Sequence, residues 1–75
     1  MTEPTVVHEF ELGRRGFVRT SLSKFRGKTF VDVRLWVEPR DEPGAPLIAT
    51  RKGISVPLEY LGELREALQA LEGAA

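Results

Sequence analysis

Apolar and polar residues alternate along the first two thirds of the chain and then change to a three-to-four spacing, which predicts strands followed by one helix. From Val6 to Leu12, His8, Phe10 and Leu12 share one side and Glu9 and Glu11 the other, as in a half-buried strand. Gly13, Arg14, Arg15 and Gly16 supply a turn, and Phe17 to Leu22 alternate again, with Val18, Thr20 and Leu22 facing one way and Phe17, Arg19 and Ser21 the other. Ser23 to Lys28 carry Gly27, suited to a hairpin connection. Thr29 to Val37 is the most regular strand. Val31, Val33, Leu35 and Val37 make a wholly apolar side, whereas Phe30, Asp32, Arg34 and Trp36 make a mixed aromatic and charged one.

Residues 38–47 hold three Pro, one Gly and four charges, the composition of a mobile loop and not of a central strand. Ile48 to Val56 return to strand character, and Gly53 interrupts the alternation between Lys52 and Ile54, which predicts a bulge. Leu58, Leu61, Leu64, Leu68 and Leu71 then recur every three or four residues among Glu59, Glu63, Arg65, Glu66 and Glu72, an amphipathic helix. Pro57 suits its opening, Glu59 lies near the positive end of its dipole and Gly73 ends it. The predicted order is ββββα, an α+β domain over residues 6–72 with flexible ends at 1–5 and 73–75.

Seventy-five residues make one domain with a small core, and such domains are usually reinforced by disulfides, a metal or a partner subunit. Zero Cys removes the first, and His8 as the lone histidine argues against a metal site, so no metal and no cofactor are expected. A second copy remains. Leu61, Leu64, Leu68 and Leu71 follow the spacing of a helix-to-helix seam, and with Leu58, Ala67 and Ala70 the stripe is wide enough to serve both the sheet and a partner helix. A homodimer through these leucines is the expectation.

Composition narrows the function. No apolar run approaches the length of a membrane span, the polar acidic start is unlike a signal peptide, and lack of Cys fits a reducing cytoplasm, so no membrane partner is expected. Asp32 beside Arg34 reads as an ion pair, His8 as a packed or edge histidine, and there is no phosphate loop or dinucleotide fingerprint; neither catalysis nor a small-molecule substrate is expected. Lys plus Arg equals Asp plus Glu at eleven each, yet the charges are segregated: residues 14–34 carry seven cations against Asp32, a net of +6, while residues 57–75 carry four Glu against Arg65, a net of −3.

The basic segment also holds the aromatics. A protein that binds unpaired nucleic acid needs cations for phosphates and flat groups on which bases stack. Phe30, Arg34 and Trp36 share one side of the third strand, Phe17 and Arg19 one side of the second, and Phe25, Arg26 and Lys28 lie between them. An aromatic in a basic hairpin, as Phe25 is, points to function or to an interface. The alternatives are a protein-interaction module docking through the helix seam and the aromatic face, and an RNA binder, since stacking does not separate RNA from DNA.

Three segments in order carry a family resemblance: Phe25-Arg26-Gly27-Lys28, then Val31-Asp32-Val33-Arg34-Leu35-Trp36, then Arg51-Lys52-Gly53-Ile54-Ser55 ahead of the helix. Together they resemble the transcriptional coactivator family of positive cofactor four over about residues 10 to 72. The resemblance implies a four-stranded antiparallel sheet with one C-terminal helix, a homodimer formed largely by the helices, and single-stranded DNA or melted duplex lying across the sheets. It further implies a nucleoid-associated role in transcription, replication or repair, with the transcription machinery as a further partner. By motif position Phe25 is similar to the family's base-stacking aromatic, and Arg26, Lys28, Arg34 and Lys52 to its phosphate contacts; Arg51 and Arg19 extend that set and Trp36 is a second stacking candidate. Val37 departs from the pattern where the family often has another aromatic, and residues 38–47 form a loop a few residues longer than in eukaryotic members. Without their serine-rich and lysine-rich tail, the chain fits a compact bacterial or phage-type member.

Overall fold

Each alternating stretch becomes a strand in the computed structural model, which describes residues 4–42 and 44–75. Strands β1 (Thr5–Glu11), β2 (Gly16–Phe25), β3 (Lys28–Val37) and β4 (Ile48–Pro57) form one antiparallel sheet in the order β1-β2-β3-β4. A single 3-10 turn (Leu58–Tyr60) then leads into helix α1 (Leu61–Ala74). The expected ββββα architecture is therefore the observed one.

The ends of the elements shift for local reasons. Pro57, with φ −58° and ψ 146°, is extended and pairs with Phe30, so it closes β4 and is at the same time the N-cap of the 3-10 turn that runs into α1. α1 continues through Gly73 to Ala74, one residue past the expected stop, and the Ala75 N–H bonds back to the Leu71 carbonyl. Thr5 already belongs to β1, so the strand starts inside the segment expected to be a flexible end; residues 1–3 of that segment lie outside the described residues. So does position 43 in the Pro-rich loop, where Ala45 N–H bonds to Glu42 O at 3.0 Å.

Register sorts the side chains as alternation requires. Val18, Thr20 and Leu22 of β2 oppose Leu35, Val33 and Val31 of β3, and Val33 and Val31 oppose Ile54 and Val56 of β4, which makes one apolar face. Phe17, Arg19, Ser21, Ser23 and Phe25 oppose Trp36, Arg34, Asp32, Phe30 and Lys28 on the other. Two irregularities bend the edges. Val7 is the extra residue of β1 between Val6 and His8, and β4 carries residues 50–52 opposite Leu35 alone.

Little of the apolar face is covered. Val31, at 8% exposure, is the only buried apolar side chain among the described residues, and α1 buries none. The helix stands across an open hollow of about 470 Å³ between Leu22, Val31 and Val33 on the sheet side and Leu61, Leu64 and Leu68 on its own. The chain is accordingly spread out: its radius of gyration is 14.0 Å, where a compact chain of this length has about 11 Å. Its accessible surface is 6272 Å², against about 4,600 Å² for a folded monomer of this mass.

Candidate functional site

The outer, non-apolar face of β2 and β3 carries Phe17, Phe25, Phe30 and Trp36 together with Arg19, Lys28 and Arg34, and the β2–β3 hairpin fixes its first cluster. Arg26 and Gly27 both have positive φ, 51° and 79°, as a two-residue hairpin turn with the twist of the flanking strands requires. The connection is therefore shorter than the six-residue stretch expected from sequence. Phe25 is the last residue of β2 and Lys28 the first of β3, directly paired. Phe25 remains 48% exposed with the Arg26 guanidinium over its ring, 5.1 Å from the centroid. Arg26 and Lys28 are exposed and, among the described residues, no carboxylate is within ion-pair distance of either.

Arg34, in the middle of β3, is held far more tightly. Its Nε and Nη2 donate to the Asp32 carboxylate at 2.9 to 3.2 Å, and its Nη1 donates to the Thr50 carbonyl of β4 at 2.9 Å. The ion pair expected from the Asp32 and Arg34 spacing is present, at 2.9 Å. The hydrogen bonds that the guanidinium donates to Asp32 raise its pKa above the ordinary value, opposed by partial burial and helped by the carboxylate's charge. Of the five N–H groups on Arg34, two have no acceptor among the described residues. Opposite it sits Gly53, where an added Cβ would collide with the Val33 carbonyl oxygen and lie 2.7 Å from Arg34 Cα. The bulge is pinned by Thr50, whose hydroxyl donates to Leu35 O at 2.8 Å and accepts from Lys52 N–H at 3.1 Å. Arg51 and Lys52 are thereby presented, both exposed, on the edge strand beside Arg34.

A third group spans β1, β2 and β3. Glu9 is the cross-strand partner of Arg19, and its Oε1 accepts from Arg19 Nε at 2.7 Å. The Arg19 guanidinium in turn lies over the Trp36 ring, 4.8 Å from the centroid. Trp36 is half-buried, and its indole N–H is buried with no acceptor among the described residues.

The candidate residues thus fall into three groups: Phe25, Arg26 and Lys28 at the hairpin, Arg34 on β3 with Arg51 and Lys52 on the neighbouring β4, and Arg19 on Trp36 toward β1. A cationic cluster that the sequence reading left out lies around Arg14 and Arg15 in the β1–β2 turn and Arg40 after β3, where the three line a hollow with Val37 and Glu38. Arg15 has φ 61°, unusual for a residue with a Cβ, and its carbonyl accepts from Glu38 N–H at 2.9 Å, which ties the turn to the end of β3. The pair of glycines flanking Arg14 and Arg15 was the available signal; the approach of Arg40 depends on the path of the loop. Of the helix leucines, Leu61, Leu64 and Leu68 line the hollow, and Leu71 is 65% exposed beyond it.

Among the described residues no group of three or more His, Cys, Asp or Glu side chains could hold a metal ion, and no helix is long and apolar enough to cross a membrane. A family model described as Transcriptional Coactivator p15 (PC4) matches residues 10–67. A search of curated protein sequences finds no match. Among solved structures, BPSL1147, a PC4 homolog from Burkholderia pseudomallei K96243, superposes in its tetragonal crystal form with a TM-score of 0.82 at 28% identity, covering 93% of this chain and 98% of the other. Its orthorhombic form gives a TM-score of 0.80 at 28% identity, covering 96% and 93%. The bacteriophage T5 homolog of the eukaryotic coactivator PC4, implicated in recombination-dependent DNA replication, shares the fold with a TM-score of 0.72 at 24% identity, covering 97% of this chain and 82% of the other.

Proposed function

The chain belongs to the transcriptional coactivator p15 (PC4) family, a single-stranded DNA-binding coactivator fold, and from that premise we propose that it binds single-stranded DNA across the outer face of its sheet, as a homodimer and without regard to sequence. The observation that carries this is the hairpin: a half-exposed Phe25 beside the cations Arg26 and Lys28, neither with a carboxylate partner among the described residues. Stacking on an aromatic is indifferent to which base is present, and ammonium or guanidinium groups meet the backbone, so such a surface favours unpaired strands of any sequence. Lys52 and Arg51 extend the cationic path on β4. Arg34 serves it with its two free N–H groups while remaining bound to Asp32. Strand segments from melted duplex, in transcription, replication or repair, are the targets this surface suits, and the transcription machinery is a further partner. The site asks for no cofactor, metal or catalytic step.

The homodimer is supported by what one chain leaves uncovered. The accessible surface exceeds that of a compact monomer by an amount on the order of 1,600 Å², comparable with what each subunit of an obligate dimer buries. Leu61, Leu64, Leu68 and Leu71, together with the open hollow under the helix, are the apolar surface a second copy would close. Two sheets side by side would then hold two strand segments and raise apparent affinity through effective concentration.

Competition tests this function. With a labelled single strand bound, unlabelled single-stranded DNA is expected to displace it at lower concentration than duplex or RNA of the same sequence; RNA as the best competitor would move the assignment to RNA binding. Duplex competing as well as single-stranded DNA would refute the preference for unpaired bases.

A further inference from the structure

We propose that the flat group offered to a base at the β1 side of the sheet is the guanidinium of Arg19, held on Trp36 by Glu9, and not the indole ring itself. The proposal rests on the single-stranded DNA reading and specifies how one part of that site is built. Arg19 lies over the Trp36 ring at 4.8 Å and is tied on its other flank to Glu9 at 2.7 Å. A base stacking directly on that face of Trp36 would have to displace a guanidinium held by an aromatic and by a carboxylate at once. A guanidinium is planar and weakly hydrated, stacks on aromatic faces, and is itself a surface on which unpaired bases stack. The Arg19 side chain keeps 25% of its surface accessible, so part of it meets solvent.

The two arginine and aromatic pairs on this face differ in the one respect that matters. Arg26 covers Phe25 from a turn and has no carboxylate partner among the described residues, so it can swing away and leave the phenyl ring to a base. Arg19 is a strand residue with its charge matched by the cross-strand Glu9, so it stays in place and contributes a surface instead of a net charge. Glu9 is then a positioning residue.

The test uses the full chain, its Arg19→Lys and Glu9→Gln variants, and two labelled strands of equal length, oligothymidylate and an abasic sugar-phosphate strand. Arg19→Lys keeps the charge and loses the plane: it is expected to weaken oligothymidylate binding about tenfold, one stacked base, with the salt slope and the affinity for the abasic strand unchanged. Glu9→Gln removes a negative charge from the face, so simple electrostatics would tighten binding to both strands; positioning predicts a few-fold weaker binding to oligothymidylate and no weakening toward the abasic strand. Wild-type affinity of Arg19→Lys for oligothymidylate overturns the proposal, as does tighter binding, which would make Arg19 a cover that bases push aside. An equal loss on both strands also overturns it, because that would mark a backbone contact or a disturbed fold. Failure of the unmodified protein to bind oligothymidylate removes the reading beneath the proposal and is distinct from all of these.

Discussion

Phe25 and Lys28 are direct cross-strand partners, joined by a turn of only two residues whose φ angles are both positive. A stacking ring and a phosphate-seeking ammonium are thus fixed to one another by backbone geometry, and the two should contribute in separable ways. Phe25→Ala is expected to weaken single-strand binding by about 1–3 kcal/mol, the value of one stacked base, with no change in salt slope. Lys28→Ala should instead reduce the slope of log K against log salt by about 0.7, the share of one phosphate on a single strand. Equal slopes for the two variants, measured by anisotropy titration over several salt concentrations, would contradict the division of roles.

Arg34 should behave differently from Lys28 because its charge is already matched. Asp32→Asn leaves a hydrogen-bond acceptor but frees the positive charge, so binding at low salt should tighten and the salt slope should rise by about 0.7. Arg34→Ala removes the donors to Asp32 and to the Thr50 carbonyl, both partly buried. The expected cost is about 1–3 kcal/mol of stability, read as a fall in melting temperature of the DNA-free protein.

Stability should depend on protein concentration, since an assembly that completes its core on dimerising gains stability by mass action. The melting temperature of the unmodified chain is expected to rise with concentration, and sedimentation should give a dimer. Leu68→Glu places a carboxylate in the hollow beneath α1, and should lower the melting temperature and shift sedimentation to a monomer. A concentration-independent transition with a monomeric mass would rule out the helix-mediated dimer.

Gly53 faces Arg34 where no Cβ can fit without moving the Val33 carbonyl or the Arg34 backbone. Gly53→Ala should therefore cost at least about 2 kcal/mol by overpacking against backbone. Calorimetry showing unchanged stability would mean that the strands separate there freely.

Much of the fold was legible in the sequence because alternation and leucine spacing report directly on faces: Val31, Val33 and Leu35 against Asp32, Arg34 and Trp36. A bulge was expected at Gly53, and it falls just before it, at residues 50–52, while Gly53 and Ile54 pair in register with Arg34 and Val33. Boundaries were less legible. Pro57 was expected to open the helix and does cap the 3-10 turn before it, but its extended backbone also pairs with Phe30 as the end of β4, and α1 itself starts only at Leu61. At the site, residue type identified Phe25, Arg26, Lys28, Arg34, Trp36 and Arg19 as candidates and the Asp32 and Arg34 spacing identified their pairing. It did not show that Glu9 holds Arg19 over Trp36, because that relation spans β1, β2 and β3 and depends on a register set by the extra residue at Val7. Nor did it bring Arg40 to Arg14 and Arg15, which the course of an irregular loop decides.

The most direct test of the central claim is an anisotropy titration of a labelled single strand of ~20 nucleotides, longer than one stacking groove, at low and at high salt. Saturable binding that weakens steeply with salt, with a slope corresponding to several neutralised phosphates, is the predicted result. No binding at low salt, with the protein shown to be folded, would contradict a nucleic-acid role for this sheet and leave the aromatic face to a protein partner.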